Sequence, residues 1–221
     1  MHFILRHLKR SMCQDDIQVI ATNSEQFISV QFKGLRFINS CQFLNASLEK
    51  LVANLRQSGV DKFRHTIRHF GRNELHLAKG VYPYEYMDSP NRFAETRLPA
   101  KDKFFSRLTE EDITDDEYAH AQEVFRKMGC RNLRDYHDYY LQLDVLLLAD
   151  VFEEFRKLSL RIYGLDPAHF YTLPGLSWDA CLKKTSVDLE LLTDEAMYLF
   201  FENNIRGGKF HFILFFLFTY Y

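Results

Sequence analysis

Cysteine is scarce and poorly spaced. The four residues, at 13, 41, 130 and 181, form no C-x-x-C pair, so neither a zinc ribbon nor a disulfide framework is expected and a reduced, intracellular setting suffices. Excess charge is also lacking. With 28 Lys and Arg against 30 Asp and Glu, the formal net charge is -2, which excludes a protein held to a polyanion by bulk charge. Any contact with nucleic acid must therefore be local. No apolar run reaches the roughly 20 residues needed to cross a bilayer. The most apolar stretch, KFHFILFFLFTYY over 209–221, is too short, so no membrane partner is expected. MHFILRHLKRS places its basic residues after its apolar patch, the reverse of a secretory signal. Repeats and low-complexity segments are missing as well.

What is present reads as a helix-rich α/β chain. IQVIAT, QFISVQF and LRFINS are short β-prone runs separated by NSE and KG, the pattern of an antiparallel meander. A helix is expected over about Ala46 to Arg56, capped by Asn45, with Gly59 beyond its end. Residues 60–108 are rich in aromatics, charge and proline, and GVYPYEYMDSPNRF reads as an extended loop. Thr114 and Glu117 form a capping box, predicting a helix up to Gly129. The longest helix should begin near Asn132 or Leu133 and end at Gly164, with a buried stripe at 136, 140, 143, 147, 151 and 155. Shorter helices are expected after the Pro174-Gly175 turn and after Thr193. Trp178 and the Phe-rich stripes are expected in the core.

Two features could carry chemistry. The first is RQSGVDKFRHTIRHFGR, where Arg56, Lys62, Arg64, Arg68 and Arg72 face a single acid, Asp61. It is either a solvated helix face plus loop or a local site for phosphates. The second is Tyr140 with Asp144, four apart on a leucine-rich helix and so on one face. An acid in an apolar run is costly to bury uncompensated. Either it shares a hydrogen bond at the core edge, or the carboxylate holds a cation while the phenol orients a water against a phosphodiester. His120, His137 and His169 receive no metal role from their spacing.

The segments KGVYPYEYMDS, DEYAHAQEVF, DYHDYYLQLDVLLLADVFEEFR, YGLDPAHFYTLPGLSWDACLK and IRGG together resemble family B DNA polymerases of the protein-primed type. These are the enzymes of Maverick or Polinton transposons, linear plasmids, adenoviruses and some bacteriophages. The resemblance runs over residues 2 to 208 in one order. It implies an incomplete ribonuclease H-like 3'-5' exonuclease domain over 1–164, a connection into the polymerase domain over 165–208, and an unmatched apolar tail over 209–221. In that reading Asp144 is a metal ligand, Tyr140 positions the attacking water, and Lys79 of KGVY counters phosphate or carboxylate charge. Ser40 of SCQFL would contact single-stranded DNA, although Cys41 stands where the family has leucine. Arg206, Gly207 and Gly208 would contact DNA beyond the exonuclease domain, with Ile205 replacing a tyrosine. Magnesium or manganese would serve the parent enzyme, with single-stranded DNA or primer-template, and a priming terminal protein, as partners.

Only part of the machinery is expected here. Two cations roughly 3.5 to 4 Å apart need several carboxylates around them, and of that set the resemblance assigns Asp144 alone. No convincing first motif of the Asp-x-Glu kind is present, and Met1 stands just after the expected position of the second-motif aspartate. The palm aspartates would lie beyond IRGG. The resemblance therefore implies a fragment inactive by itself in both polymerisation and proofreading, with a non-catalytic DNA-binding or polymerase-interacting module as the alternative.

Overall fold

Period-two alternation gives way to period 3.6 near residue 45, and the structure follows that switch. The computed structural model describes residues 17–23 and 27–205; Arg206, Gly207 and Gly208 lie outside the described residues. Strands β1 (Ile17–Ala21), β2 (Phe27–Phe32) and β3 (Leu35–Ile38) form an antiparallel sheet in that order. Val30 stands opposite Val19 on one side and Phe37 on the other. The β2–β3 turn consists of Lys33 and Gly34 at φ 42° and 80°, the paired left-handed conformation that twists a two-residue hairpin correctly. The chain is thus helix-rich α/β with a small antiparallel sheet.

Six α-helices follow among the described residues: α1 (Leu48–Gln57), α2 (Arg64–Phe70), α3 (Asp115–Lys127), α4 (Leu133–Tyr163), α5 (Leu173–Thr185) and α6 (Glu195–Asn204). α1 is capped by the Ser47 hydroxyl, which accepts from Lys50 N–H; the cap expected at Asn45 is two residues too early. α3 carries the capping box, with Thr114 N–H donating to Glu117 at 2.7 Å and Thr114 Oγ1 accepting from Glu117 N–H at 3.2 Å. Asn132 caps α4, and Gly164 ends it in the left-handed region at φ 62°. Pro174 and Gly175 lie in the first turn of α5, not in a turn before it. Proline is tolerated there because its missing N–H would be unsatisfied anyway.

The chain divides into two compact units, one through Ala180 and one from Cys181. In the first, α4 is the axis. Tyr136, Tyr139, Leu143, Leu147 and Val151 from α4 are buried with Val52 and Leu55 of α1, Phe63, and Val124 of α3. Each fully buried aliphatic residue in such a core contributes about 1.5–3 kcal/mol. Phe155, expected to continue the stripe, is half-buried and leans on Phe43 and Phe152 with centroids at 6.3 and 6.1 Å. The sheet is tied to the turn after α4 by Arg36, whose guanidinium donates to Ala168 C=O at 2.6 Å and lies 5.5 Å from the Tyr171 ring. Trp178 is 57% exposed and not a core residue. Cys41, Cys130 and Cys181 are free thiols. The second unit contains the end of α5 and α6, whose N-terminus is capped by Asp194 at 2.7 Å from Met197 N–H.

Among the described residues, no helix is long and apolar enough to cross a membrane.

Candidate functional site

The stripe of α4 brings Tyr140 and Asp144 together where the segment leading from Leu77 passes over the helix. Tyr140 is buried, and a Cβ on Gly80 would lie 3.6 Å from its ring. Its hydroxyl shares a 2.8 Å hydrogen bond with the hydroxyl of Tyr84. Burial comes first, then that bond and the neighbouring Asp144, in pushing the Tyr140 phenol well above its ordinary range. It remains a neutral hydrogen-bonding group at any physiological pH. The Tyr82 ring stacks on Tyr140 with centroids 4.9 Å apart, and burial raises the Tyr82 phenol to about 12.

Asp144 is half-buried, and its Oδ1 is sealed from solvent with no hydrogen-bond partner among the described residues. Burial raises its pKa; the charge of Lys79 and then the Tyr140 hydroxyl pull it back without cancelling the rise. Lys79 acts through its field, since no contact ion pair joins it to Asp144. A raised carboxyl pKa with one unpartnered oxygen describes an acid short of positive charge.

Lys79 also lines a cleft of about 600 Å³ between α1 and α3, together with Arg56, Leu77 and His120. His120 Nε2 is buried without a hydrogen-bond partner among the described residues, and burial lowers the pKa of the imidazole. Ser40 does not join this group. It opens a short 3-10 turn (Ser40–Gln42) whose next residue, Phe43, packs against Phe152 at 5.9 Å. Phe152 lies eight residues beyond Asp144, about 12 Å further along the α4 axis.

Among the described residues no three His, Cys, Asp or Glu side chains gather as a metal-ligating group. Asp144 supplies one carboxylate, and the charged side chain that bears on it is a cation, Lys79. These residues do not by themselves fit two divalent ions, although the orphaned Oδ1 is the kind of atom a cation would satisfy.

Two residues that spacing did not single out shape the region. Tyr84 supplies the phenol opposite Tyr140, from a loop in which no periodicity marks it. Asp150, only 1% exposed, accepts from the backbone amides of His65 at 2.7 Å and Thr66 at 3.0 Å. It caps α2, whose own N-cap residue, Phe63, offers no side-chain hydrogen bond.

No protein-family model, curated protein or solved structure matches the chain.

Proposed function

We propose that the chain is a portion of a DNA-directed DNA polymerase of family B, protein-primed type. In this reading it retains the latter part of a ribonuclease H-like proofreading domain and the connection toward the polymerase domain. The observation that carries it is the convergence of Tyr140, Asp144 and Lys79, three residues drawn together by the motif resemblance, around one unpartnered carboxylate oxygen. In this role the neutral phenol holds a water or a phosphodiester oxygen, and Lys79 offsets phosphate charge. Bound magnesium or manganese would supply Lewis acidity, but Asp144 alone cannot hold two ions. Carboxylates from outside this set are required, and the chain as it stands neither degrades nor extends DNA. Ser40, Arg206, Gly207 and Gly208 are proposed contacts of the DNA strand.

The test is incubation of end-labelled single-stranded DNA and of a primed template with the purified chain in magnesium or manganese. No turnover is expected. Metal-dependent cleavage that disappears in Asp144→Ala overturns the inactivity. The lineage is tested separately by the coding DNA on both sides, where an in-frame Asp-x-Glu segment upstream and paired palm aspartates downstream are expected. Unrelated open frames on both sides refute the lineage.

A second reading, a non-catalytic DNA-binding module, is favoured by one specific observation. Arg64 and Arg68 are exposed and carry no ion pair among the described residues.

A further inference from the structure

The exposed basic face of α2 also borders a concavity. Arg64 and Arg68 lie one turn apart on α2 and line a concavity of about 470 Å³ whose opposite wall is α4, with Lys62 and Lys157 at its border. Two carboxylates also line it, and both are already engaged. Asp150 accepts from the amides of His65 and Thr66, and Glu153 accepts from Arg156 at 2.6 Å. The four lining cations therefore outnumber two committed acids, and neither arginine has a hydrogen-bond or ion-pair partner among the described residues. Asp150 also anchors α2 to α4 from beneath, so the arginines project from a fixed helix.

Lys62 and Lys157 line a second cavity of about 420 Å³ as well, so the two adjoin. Glu154 bridges the two lysines, at 3.2 Å from Lys62 and 2.5 Å from Lys157. The lining of the second cavity is mostly apolar, with Leu51, Phe155 and Leu158, and includes Arg161. The two cavities thus present, on either side of the shared lysines, guanidinium groups unpaired among the described residues and an aromatic and aliphatic lining that includes a further cation, Arg161. Free phosphate would satisfy the first part only. A ligand that alternates anionic groups with flat apolar ones satisfies the whole length.

We propose that this groove, which runs along α4 from its contact with α2 to its contact with α1, binds single-stranded nucleic acid, with phosphates on Arg64 and Arg68 and a base in the chamber lined by Phe155 and Leu158. The assignment rests on nucleic acid being the partner, as in the preceding reading, but uses none of the residues around Tyr140 and Asp144. Asp150 lies six residues past Asp144, about 9 Å along the axis and about 120° around it.

The experiment is fluorescence anisotropy of a labelled oligothymidylate on the full chain at low and moderate salt, with an abasic oligomer of equal length and with pyrophosphate as competitor. The Arg64→Gln/Arg68→Gln variant should weaken binding about tenfold or more. Its log–log salt slope should flatten by about 1.4, since each single-strand phosphate contact contributes about 0.7. Lys157→Gln, on the other wall, should weaken binding in the same direction, and Arg107→Gln should not. The abasic oligomer should bind more weakly than oligothymidylate. Unchanged affinity and slope in both the double variant and Lys157→Gln overturn the groove, while leaving nucleic acid as partner if the parent chain still binds. Equal binding of the abasic oligomer, with displacement by pyrophosphate, overturns it in favour of a simple phosphate pocket. Absence of any salt-sensitive binding by the parent chain overturns both.

Discussion

Asp150 and Thr66 are 84 residues apart in sequence and joined by a 3.0 Å hydrogen bond from the Thr66 amide to the Asp150 carboxylate. With His65 N–H on the other oxygen at 2.7 Å, the side chain closes a helix end that has no cap of its own. A buried carboxylate between two N–H donors is compensated, whereas an amide in its place turns an N–H donor toward one of them. Asp150→Asn is therefore expected to lower stability by about 2 kcal/mol or more. Urea denaturation followed by circular dichroism measures it, and a midpoint equal to that of the parent chain contradicts the capping role.

Asp144 should behave in the opposite way. Its pKa in the fold lies above the ordinary 3.8, so the folded state binds the proton more tightly than the unfolded one. The associated stability is present at low pH and lost as pH rises past 3.8 through the raised value. Near pH 7 the ionised carboxyl is a net cost, and Asp144→Asn should melt at a higher temperature than the parent. The gap should close below about pH 3. Thermal melts across that range check the sign, and a less stable Asn variant at neutral pH shows the carboxylate to be satisfied.

The buried imidazoles set a second pH response. Burial lowers both His76 and His120 from 6.5, His120 adding to the effect on His76 and Glu123 opposing it on His120. Their contribution is complete above 6.5 and declines as pH falls from there toward the lowered values. His120→Leu, which also removes the unpartnered Nε2, should flatten the fall in melting temperature between about pH 7.5 and about pH 5. An unaltered slope excludes His120 as its source.

At the far end of α4, Arg156 donates to both Asp166 oxygens, at 2.9 and 2.6 Å. Those bonds come first in lowering the Asp166 pKa to about 2. The stability from this pair is present above 3.8 and lost as pH falls toward about 2. Arg156→Met should cost roughly 1 kcal/mol at neutral pH after allowance for partial solvent access, and little in strong acid. Chemical denaturation at both pH values gives the comparison.

The legible parts of this fold are those whose determinants lie close together in the chain. The meander, the Thr114–Glu117 box and the span of α4 from Asn132 to Gly164 follow from alternation, capping and glycine within a few residues. The bounds of α2 are not legible in RQSGVDKFRHTIRHFGR, because its seven residues sit in a charged stretch and its cap arrives from Asp150. The cap of α1 slipped from Asn45 to Ser47 because both residue types serve and only the backbone chooses. Trp178 faces outward although its apolar character suggested the core. At the candidate site, Tyr140 and Asp144 were visible as a same-face pair. The phenol of Tyr84 and the adjoining chambers that α4 forms with α2 and with α1 depend on tertiary approach, which spacing does not encode.

One consequence of the borrowed cap concerns the order of folding. Seven residues are too few to hold a helix alone in water, so α2 cannot persist until α4 has docked and its carboxylate has reached the two amides. In native-state hydrogen exchange, the protons of His65 and Thr66 should share the protection of the α4 interior, and the basic wall should be lost and regained with that docking rather than by local fraying.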